Sequence, residues 1–373
     1  MQQVKFGNND ISELKQLLST HKPEQICVVH TKRSYKDSGA EAFIKDLLGS
    51  GFAEFSDFEP NPKYEDLKKG LDLINSETFS LIIAIGGGTA IDIAKMMKAL
   101  AYKKCNLENV ITGEEQITGA GIPLLAIPTT AGTGAEATQF SVMYIGKTKY
   151  SISSEYIYPE YVYLDPKFSM TAPSYLTACT GLDALCQAVE ALWCVNATEE
   201  SNAFAEEAIS LVHNYLPTAV NENSEEAKAA MQTAAYLAGK AINITRTTAP
   251  HALSYAFTSY YGIAHGHAVA LSLPFFTEFN YSVGNLDCMD KRGADAVRQR
   301  IELFFESFKT DSVHAKTDLL EFFAQIGIET SISRLINNFD RSIIINNVNT
   351  QRLGNNPRRV TNEAIAQFIN STI

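Results

Sequence analysis

The stretch that most constrains this chain is LIIAIGGGTAIDIAK, residues 81–95. A wholly apolar run passes without interruption into three glycines and then into residues of helical pattern. A short apolar run of this kind reads as a strand buried on both faces. Glycines before a helix start let backbone N–H groups approach a ligand without side-chain hindrance. The helix terminus adds its partial positive charge, so the turn suits a pyrophosphate. Gly86, Gly87, Gly88 and Thr89 are therefore the expected phosphate contacts. The motif is not GxGxxG, and it is not a P-loop, because no Lys-Ser/Thr follows the glycines. Its competing reading is a merely tight turn.

The surroundings repeat the same grammar. Residues 26–30 read as a buried strand, 38–48 as a helix, 52–58 as an extended run and 63–75 as a helix. Residues 81–85 are a third strand, 89–101 a helix and 124–127 a fourth strand. Residues 140–145 and 161–164 look like further strands. This βαβα order predicts a mainly parallel sheet covered on both faces. A second glycine-rich turn, PTTAGTGAE (128–136), again follows a strand. Thr129, Thr130 and Thr133 offer hydroxyls to ribose or phosphate, and an equal alternative is a capped helix start.

After Pro166 the pattern changes. Residues 201–216 and 225–242 are rich in Ala, Glu and Leu at helical spacing, and almost nothing beyond about residue 170 reads as strand. The expected division is an α/β dinucleotide-binding domain over residues 1–170 and an all-helical domain over 171–373. Residues 343–359, rich in Asn, are expected to be loop.

Composition narrows the function. The 373 residues are 45% apolar and 20% charged, a globular balance. A formal charge of −11 argues against nonspecific binding to nucleic acid or to an anionic membrane. No apolar run approaches the roughly 20 residues that span a bilayer. The N-terminus lacks a signal-peptide pattern. The six cysteines include no CxxC, which suggests reduced thiols and a cytoplasmic location. Cys179, Cys186 and Cys194 lie near one another, but no structural zinc site has this spacing.

The helical half carries a candidate metal site. In TGLDALCQAVEALW, Asp183 and Gln187 are four apart and share a helix face. His251, His265 and His267 follow within seventeen residues, in a chain with only seven histidines. An acidic residue with convergent imidazoles suits a divalent ion. The plainer alternative is a set of surface and core histidines that never meet.

Taken together, IGGGTAIDIAK, IPTTAGTGAE, the LDP at 164–166, TGLDALCQAVEA and the His251/His265 pair resemble the successive signatures of the iron-containing alcohol dehydrogenases. They stand in that family's order and cover roughly residues 20–285. The resemblance implies a dehydroquinate synthase-like fold, with a cleft between its two domains, and hydride transfer assisted by Fe²⁺ or Zn²⁺. It places Asp183, His251 and His265 on three of four metal-ligand positions. The fourth falls on Gln187, where the family usually has His. Tyr255 likewise stands where many members carry another active-site His, and His267 is an additional histidine beside the HG pair. His265, His267, Tyr255 and Arg246 form the expected catalytic set. The cofactor set is Thr31, Arg33, the three glycines, Thr89, Asp92, Thr129, Thr130, Thr133 and Lys149.

Members that prefer NAD often carry an Asp after the first strand. Here that position is Thr31, followed by Lys32 and Arg33, which favours a 2′-phosphate and so NADP(H) over NAD(H). RSYKDSGA, DFEPNPKYEDLKKG, AINITRTTAPHALSY and VNTQRLGNNP resemble one branch of the family, the phosphonoacetaldehyde reductases. That branch implies a small anionic aldehyde as substrate, with Arg246 as an anion clamp; a surface arginine or a cofactor contact is the alternative. A homodimer is expected. The rival activities are a non-redox cyclase or lyase on the same fold, and a binding module without catalysis.

Overall fold

The computed structural model describes residues 2–7, 11–146 and 148–372. It divides into two compact units, Met1–Ala172 and Pro173–Ile373.

The first unit is built on a six-stranded sheet. Its strands are β1 (Gln3–Phe6), β2 (Ile26–His30), β3 (Ala53–Phe55), β4 (Leu81–Gly86), β5 (Leu124–Pro128) and β8 (Tyr161–Leu164). A separate antiparallel hairpin pairs β6 (Phe140–Ile145) with β7 (Thr148–Ser153). The sheet order is β1-β8-β5-β4-β2-β3, and every pairing in it is parallel. Alternation along each strand supplies both faces. Cys27, Val29, Ile82 and Ala84 pack into one apolar cluster, and Ile26, Val28, Leu81, Ile83 and Ile85 into another. This two-sided burial explains why β2, β4 and β5 read as continuous apolar runs.

The sequence reading missed several elements here, helices Ser12–Ser19 and Leu107–Thr112 among them. β1 and β7 are rich in polar residues, and neither carries an apolar run. Residues Lys32–Asp37 form a short helix ahead of Ala40–Leu48, broken from it by Gly39 at φ 78°. The extended run expected over 52–58 pairs only across Ala53–Phe55.

The second unit is helical, and no strand follows Leu164 among the described residues. Its longest helices are Ser174–Trp193, Glu199–Asn221 and Glu225–Thr245. From Thr177 to Trp193 every residue but Thr180 is buried, so this helix is enclosed on all sides. Glu199–Asn221 opens on a capping box between Thr198 and Ser201. No helix of the described residues is long and apolar enough to cross a membrane.

Residues 343–359 were expected to be loop, and this is corrected. The segment carries helix Thr350–Leu353 and most of helix Arg341–Asn346. One of the asparagines that suggested loop is a cap, and the other helix is capped by Asp340 just before the segment. The Asp340 side chain accepts from Ser342 N at 2.8 Å, and Asn349 accepts from Arg352 N at 3.0 Å.

Candidate active site

In the first unit, β4 ends at Gly86 and helix Gly88–Leu100 begins two residues later. The first amides of such a helix have no intrahelical acceptor and are free for an anion. β5 delivers the second turn beside the first, with Thr129 N donating to Gly86 O at 3.0 Å. The threonines close over the glycines. A Cβ on Gly86 would lie 2.9 Å from Thr31 Oγ1, one on Gly87 3.2 Å from Thr130 Oγ1, and one on Gly88 3.1 Å from Thr133 Cγ2. Thr31, Thr130, Thr133 and the three glycines are thus one constellation. Thr89 is half-buried in the first turn of the helix. Thr129 is buried, and its hydroxyl makes no hydrogen bond among the described residues.

Three other expected cofactor residues are placed differently. The Arg33 side chain is 95% exposed and pairs with Asp37 at 3.3 Å. The buried Asp92 carboxylate accepts from Val142 N at 3.0 Å, tying the helix to β6. Burial pushes the pKa of Asp92 up to about 6 against the pull of Lys95, and the charge of Lys149 on β7 also bears on it. Sequence reasoning missed the surrounding network. Fully buried Lys95 donates to Thr138 Oγ1 at 3.0 Å and to Phe140 O at 2.7 Å, and burial lowers its pKa to about 8. Burial raises Glu136 to about 7.

In the second unit, one ligand atom each from Asp183, His251 and His265 lies within 4.8 Å of the other two. Asp183 comes from the enclosed helix Ser174–Trp193, His251 from the first turn of Ala249–Tyr261, and His265 from the start of His265–Ala270. Asp183 Oδ1 is 3.2 Å from His251 Nε2 and 3.9 Å from His265 Nε2. The two imidazole rings are 5.5 Å apart at 70°. Gly266 allows this approach, since a Cβ there would fall 1.8 Å from Cys179 O. Gln187 is buried one turn beyond Asp183. Its Oε1 accepts no hydrogen bond within the chain, although the side chain has other interactions.

A residue absent from the sequence reading organises this group. The Glu190 carboxylate is wholly buried and contacts His251 Nδ1 through Oε2. Its Oε1 accepts from Thr248 N at 2.8 Å, Thr248 Oγ1 at 2.9 Å and His251 N at 3.3 Å. Trp193 Nε1 donates to the same threonine hydroxyl at 2.8 Å. Glu190 therefore holds the proton on Nδ1 and turns Nε2 toward Asp183. Burial pulls the pKa of His251 down, but the charges of Glu190 and Asp183 outweigh it and raise the value. In the Glu-x-x-Trp step of an otherwise apolar helix, an embedded carboxylate was the one available signal.

His267 is not part of the three-residue group. Its Nδ1 meets Tyr175 Oη at 3.0 Å and its Nε2 meets Glu329 O at 2.6 Å, while burial lowers its pKa. Tyr255 lies one turn beyond His251, half-buried, on the same helix face. Arg246 is half-buried and ends helix Glu225–Thr245 at φ 78° and ψ 170°. The cysteines do not contribute. Burial raises the thiol of Cys179 to about 11 and that of Cys194 to about 12, and lifts Cys186 well above the usual thiol range, so none is a ready thiolate.

One carboxylate and two imidazoles, with a neighbouring amide, fit a divalent Zn²⁺ or Fe²⁺ ion. Residues 2–166 match the family model described as "Iron-containing alcohol dehydrogenase", and residues 177–373 match "Fe-containing alcohol dehydrogenase family, C-terminal". The chain is 35% identical over 270 residues to long-chain-alcohol dehydrogenase 1 of Geobacillus thermodenitrificans, covering 71% of this chain and 67% of that one. It is 31% identical over 300 residues to the phosphonoacetaldehyde reductase of Streptomyces viridochromogenes, covering 77% and 74% respectively. Among solved structures, sulfoacetaldehyde reductase from Bifidobacterium kashiwanohense in complex with NAD⁺ superposes with a TM-score of 0.89 at 27% identity, covering 100% of this chain and 96% of that one. The chain belongs to the iron-containing alcohol dehydrogenase family, and the relatives it matches are named as alcohol dehydrogenases and aldehyde reductases.

Proposed function

We propose that this protein is an NADPH-preferring, metal-dependent reductase of a small anionic aldehyde, of which phosphonoacetaldehyde is the leading candidate. The observation that carries the metal-dependent part is the Asp183–His251–His265 group, whose first two members are buried and whose His251 is held by Glu190. The substrate class is supported by the names of two relatives that act on phosphonoacetaldehyde and sulfoacetaldehyde. The cofactor preference is supported by Thr31 and Lys32, which stand where a carboxylate would select an unphosphorylated ribose.

Asp183, His251 and His265 would hold the ion, and Gln187 would offer an amide oxygen as a fourth donor. When bound, the ion supplies Lewis acidity toward the substrate oxygen, and the nicotinamide supplies the hydride. The chain's own residues do the rest. Glu190 keeps the His251 proton on Nδ1, so that Nε2 presents a lone pair. Thr31, Thr130 and Thr133 shape the turn that receives the dinucleotide phosphates, and the Thr129 hydroxyl is available to a cofactor oxygen. Tyr255 offers a phenolic hydroxyl as proton donor to the substrate oxygen, and Arg246 a guanidinium to the anionic tail. We further assign the protein to the cytoplasm, as a homodimer.

The test follows oxidation of NADPH and NADH by metal-replete protein with phosphonoacetaldehyde, sulfoacetaldehyde and propanal. The expected result is fastest turnover of an anionic aldehyde with NADPH, lost on chelation and restored by Zn²⁺ or Fe²⁺. Failure to oxidise either cofactor with any aldehyde would overturn the proposal.

A further inference from the structure

Thr248 is the N-cap of helix Ala249–Tyr261, yet its hydroxyl does not cap that helix. An N-cap threonine ordinarily accepts from the backbone N–H two or three residues on. Here the amide three residues on, His251 N, donates instead to Glu190 Oε1 at 3.3 Å. A carboxylate from another helix has taken over the cap, which leaves the Thr248 hydroxyl for a different use. Trp193 is the only tryptophan of the chain, and its side chain is wholly buried. Its Nε1 lies 2.8 Å from Thr248 Oγ1, and Thr248 Oγ1 lies 2.9 Å from Glu190 Oε1.

The chemistry of these groups fixes the direction of every bond. An indole N–H can only donate, so Thr248 Oγ1 must accept from Trp193. A hydroxyl has one hydrogen, and the other partner of this one among the described residues is Glu190 Oε1, so the hydrogen goes to the carboxylate. Oε1 then receives three donors: Thr248 Oγ1, Thr248 N at 2.8 Å and His251 N. An oxygen so surrounded acts as an acceptor and holds negative charge. Oε2 meets His251 Nδ1, and that nitrogen therefore carries the proton. The donor-only character of a tryptophan is thus passed through a threonine and a carboxylate to an imidazole whose Nε2 faces Asp183 Oδ1 at 3.2 Å. Trp193, Thr248 and Glu190 are all wholly buried, so bulk water is not at hand to replace a missing donor.

We infer that Trp193 and Thr248 are positioning residues of the metal centre. The indole orients the Thr248 hydroxyl, the hydroxyl pins Glu190 as an acceptor, and Glu190 holds His251 with Nε2 open to a divalent ion. Without the indole N–H, the hydroxyl loses the partner that keeps its hydrogen on Glu190. The inference rests on the metal-dependent reading and deepens it, since the centre extends two groups beyond Glu190. Because this chain of bonds ends on the sole tryptophan, loading of the site should register in the intrinsic fluorescence of the protein.

The test titrates full-length apoprotein with Zn²⁺ against a competing chelator, and records the Tm of each apoprotein alongside. Wild type is compared with Thr248→Val, Thr248→Ser, Trp193→Phe and Cys194→Ala. Thr248→Val and Trp193→Phe should each bind Zn²⁺ about 3- to 10-fold more weakly, the worth of one buried hydrogen bond. Thr248→Ser keeps the hydroxyl and should stay within about twofold of wild type. Cys194→Ala cuts a neighbouring contact outside this chain of bonds, from Sγ to Thr245 O at 3.0 Å, and should lower Tm without changing the affinity. In wild type, Zn²⁺ should change the Trp193 emission in step with loading, and Thr248→Val should blunt that change. Zn²⁺ affinity within about twofold of wild type in either Thr248→Val or Trp193→Phe would overturn the inference. So would a loss in Cys194→Ala as large as theirs, which would mark the whole turn as general support. Wild-type apoprotein that binds neither Zn²⁺ nor Fe²⁺ would sink the metal-dependent reading, and this inference with it.

Discussion

Replacing Glu190 with glutamine removes one charge from the interior and changes almost no volume. Oε1 can still accept from Thr248 N, Thr248 Oγ1 and His251 N, so the turn leading into the helix keeps its anchor. The other branch becomes an NH₂ facing His251 Nδ1. A donor there requires Nδ1 to accept, which moves the imidazole proton to Nε2. Nε2 lies 3.2 Å from Asp183 Oδ1, and a proton between them occupies the lone pair an ion would take. Loss of such a supporting carboxylate weakens metal binding by about 10- to 100-fold, or roughly 1.4–2.7 kcal/mol. Titration of the apoprotein with Zn²⁺ against a competing chelator at pH 7.5 measures this directly. The melting temperature of the apoprotein should fall, because the buried His251 imidazolium loses one of its two carboxylate partners. Zn²⁺ affinity within about threefold of wild type would refute the argument that Glu190 sets the tautomer.

Thr31→Asp should move the ratio of kcat/KM for NADPH over NADH toward NADH by at least about tenfold, since a carboxylate accepts from a ribose hydroxyl and repels a phosphate; an unchanged ratio would assign that recognition to another residue. Gly266→Ala should destabilise the fold by about 1–3 kcal/mol and lower metal content, because its Cβ meets Cys179 O at 1.8 Å and pushes His265 from Asp183; a stable, fully loaded variant would show that the helix start tolerates the shift. Glu136→Gln tests the buried acid of the first unit. Its folded pKa of about 7 stands above the ordinary carboxyl value of 4.5, so the native state holds the proton longer and stability is lost as pH rises from about 4.5 to 7. The variant should gain on wild type across that window, by roughly 3 kcal/mol at pH 8, read as a widening difference in Tm; parallel Tm curves would place the Glu136 charge at no cost.

Whatever depends on local periodicity was legible in the sequence. The buried strands β2, β4 and β5 are continuous apolar runs, and the glycine turn follows β4 within one residue. Asp183 and Gln187 stood out because polar residues one helical turn apart are conspicuous in an apolar helix. Glu190 stands in the same helix, three residues beyond Gln187, and reads as a helix former. Its partners Thr248 and His251 come 58 and 61 residues later, so only tertiary structure joins them. His267 misled for a related reason. Spacing places a third imidazole beside the HG pair, but the helix starting at His265 directs it to Tyr175 and Glu329 instead. The Asn-rich tail failed by composition, because Asn at a cap and Asn in a loop look alike until the amide it accepts from is known.

The unequal burial of the three proposed ligand residues would give metal exchange a direction. Asp183 and His251 retain only 3% and 4% of their accessible surface, whereas the His265 side chain keeps 34%. If these residues hold the proposed ion, a chelator would meet it first at His265, and that ligand would detach before the other two. Stripping should occur in two kinetic phases: a fast, chelator-dependent opening at His265, then a slow release limited by motion of the packed helix that carries Asp183. Loading would follow the reverse order, with His265 meeting an incoming ion first and the buried Asp183 and His251 second.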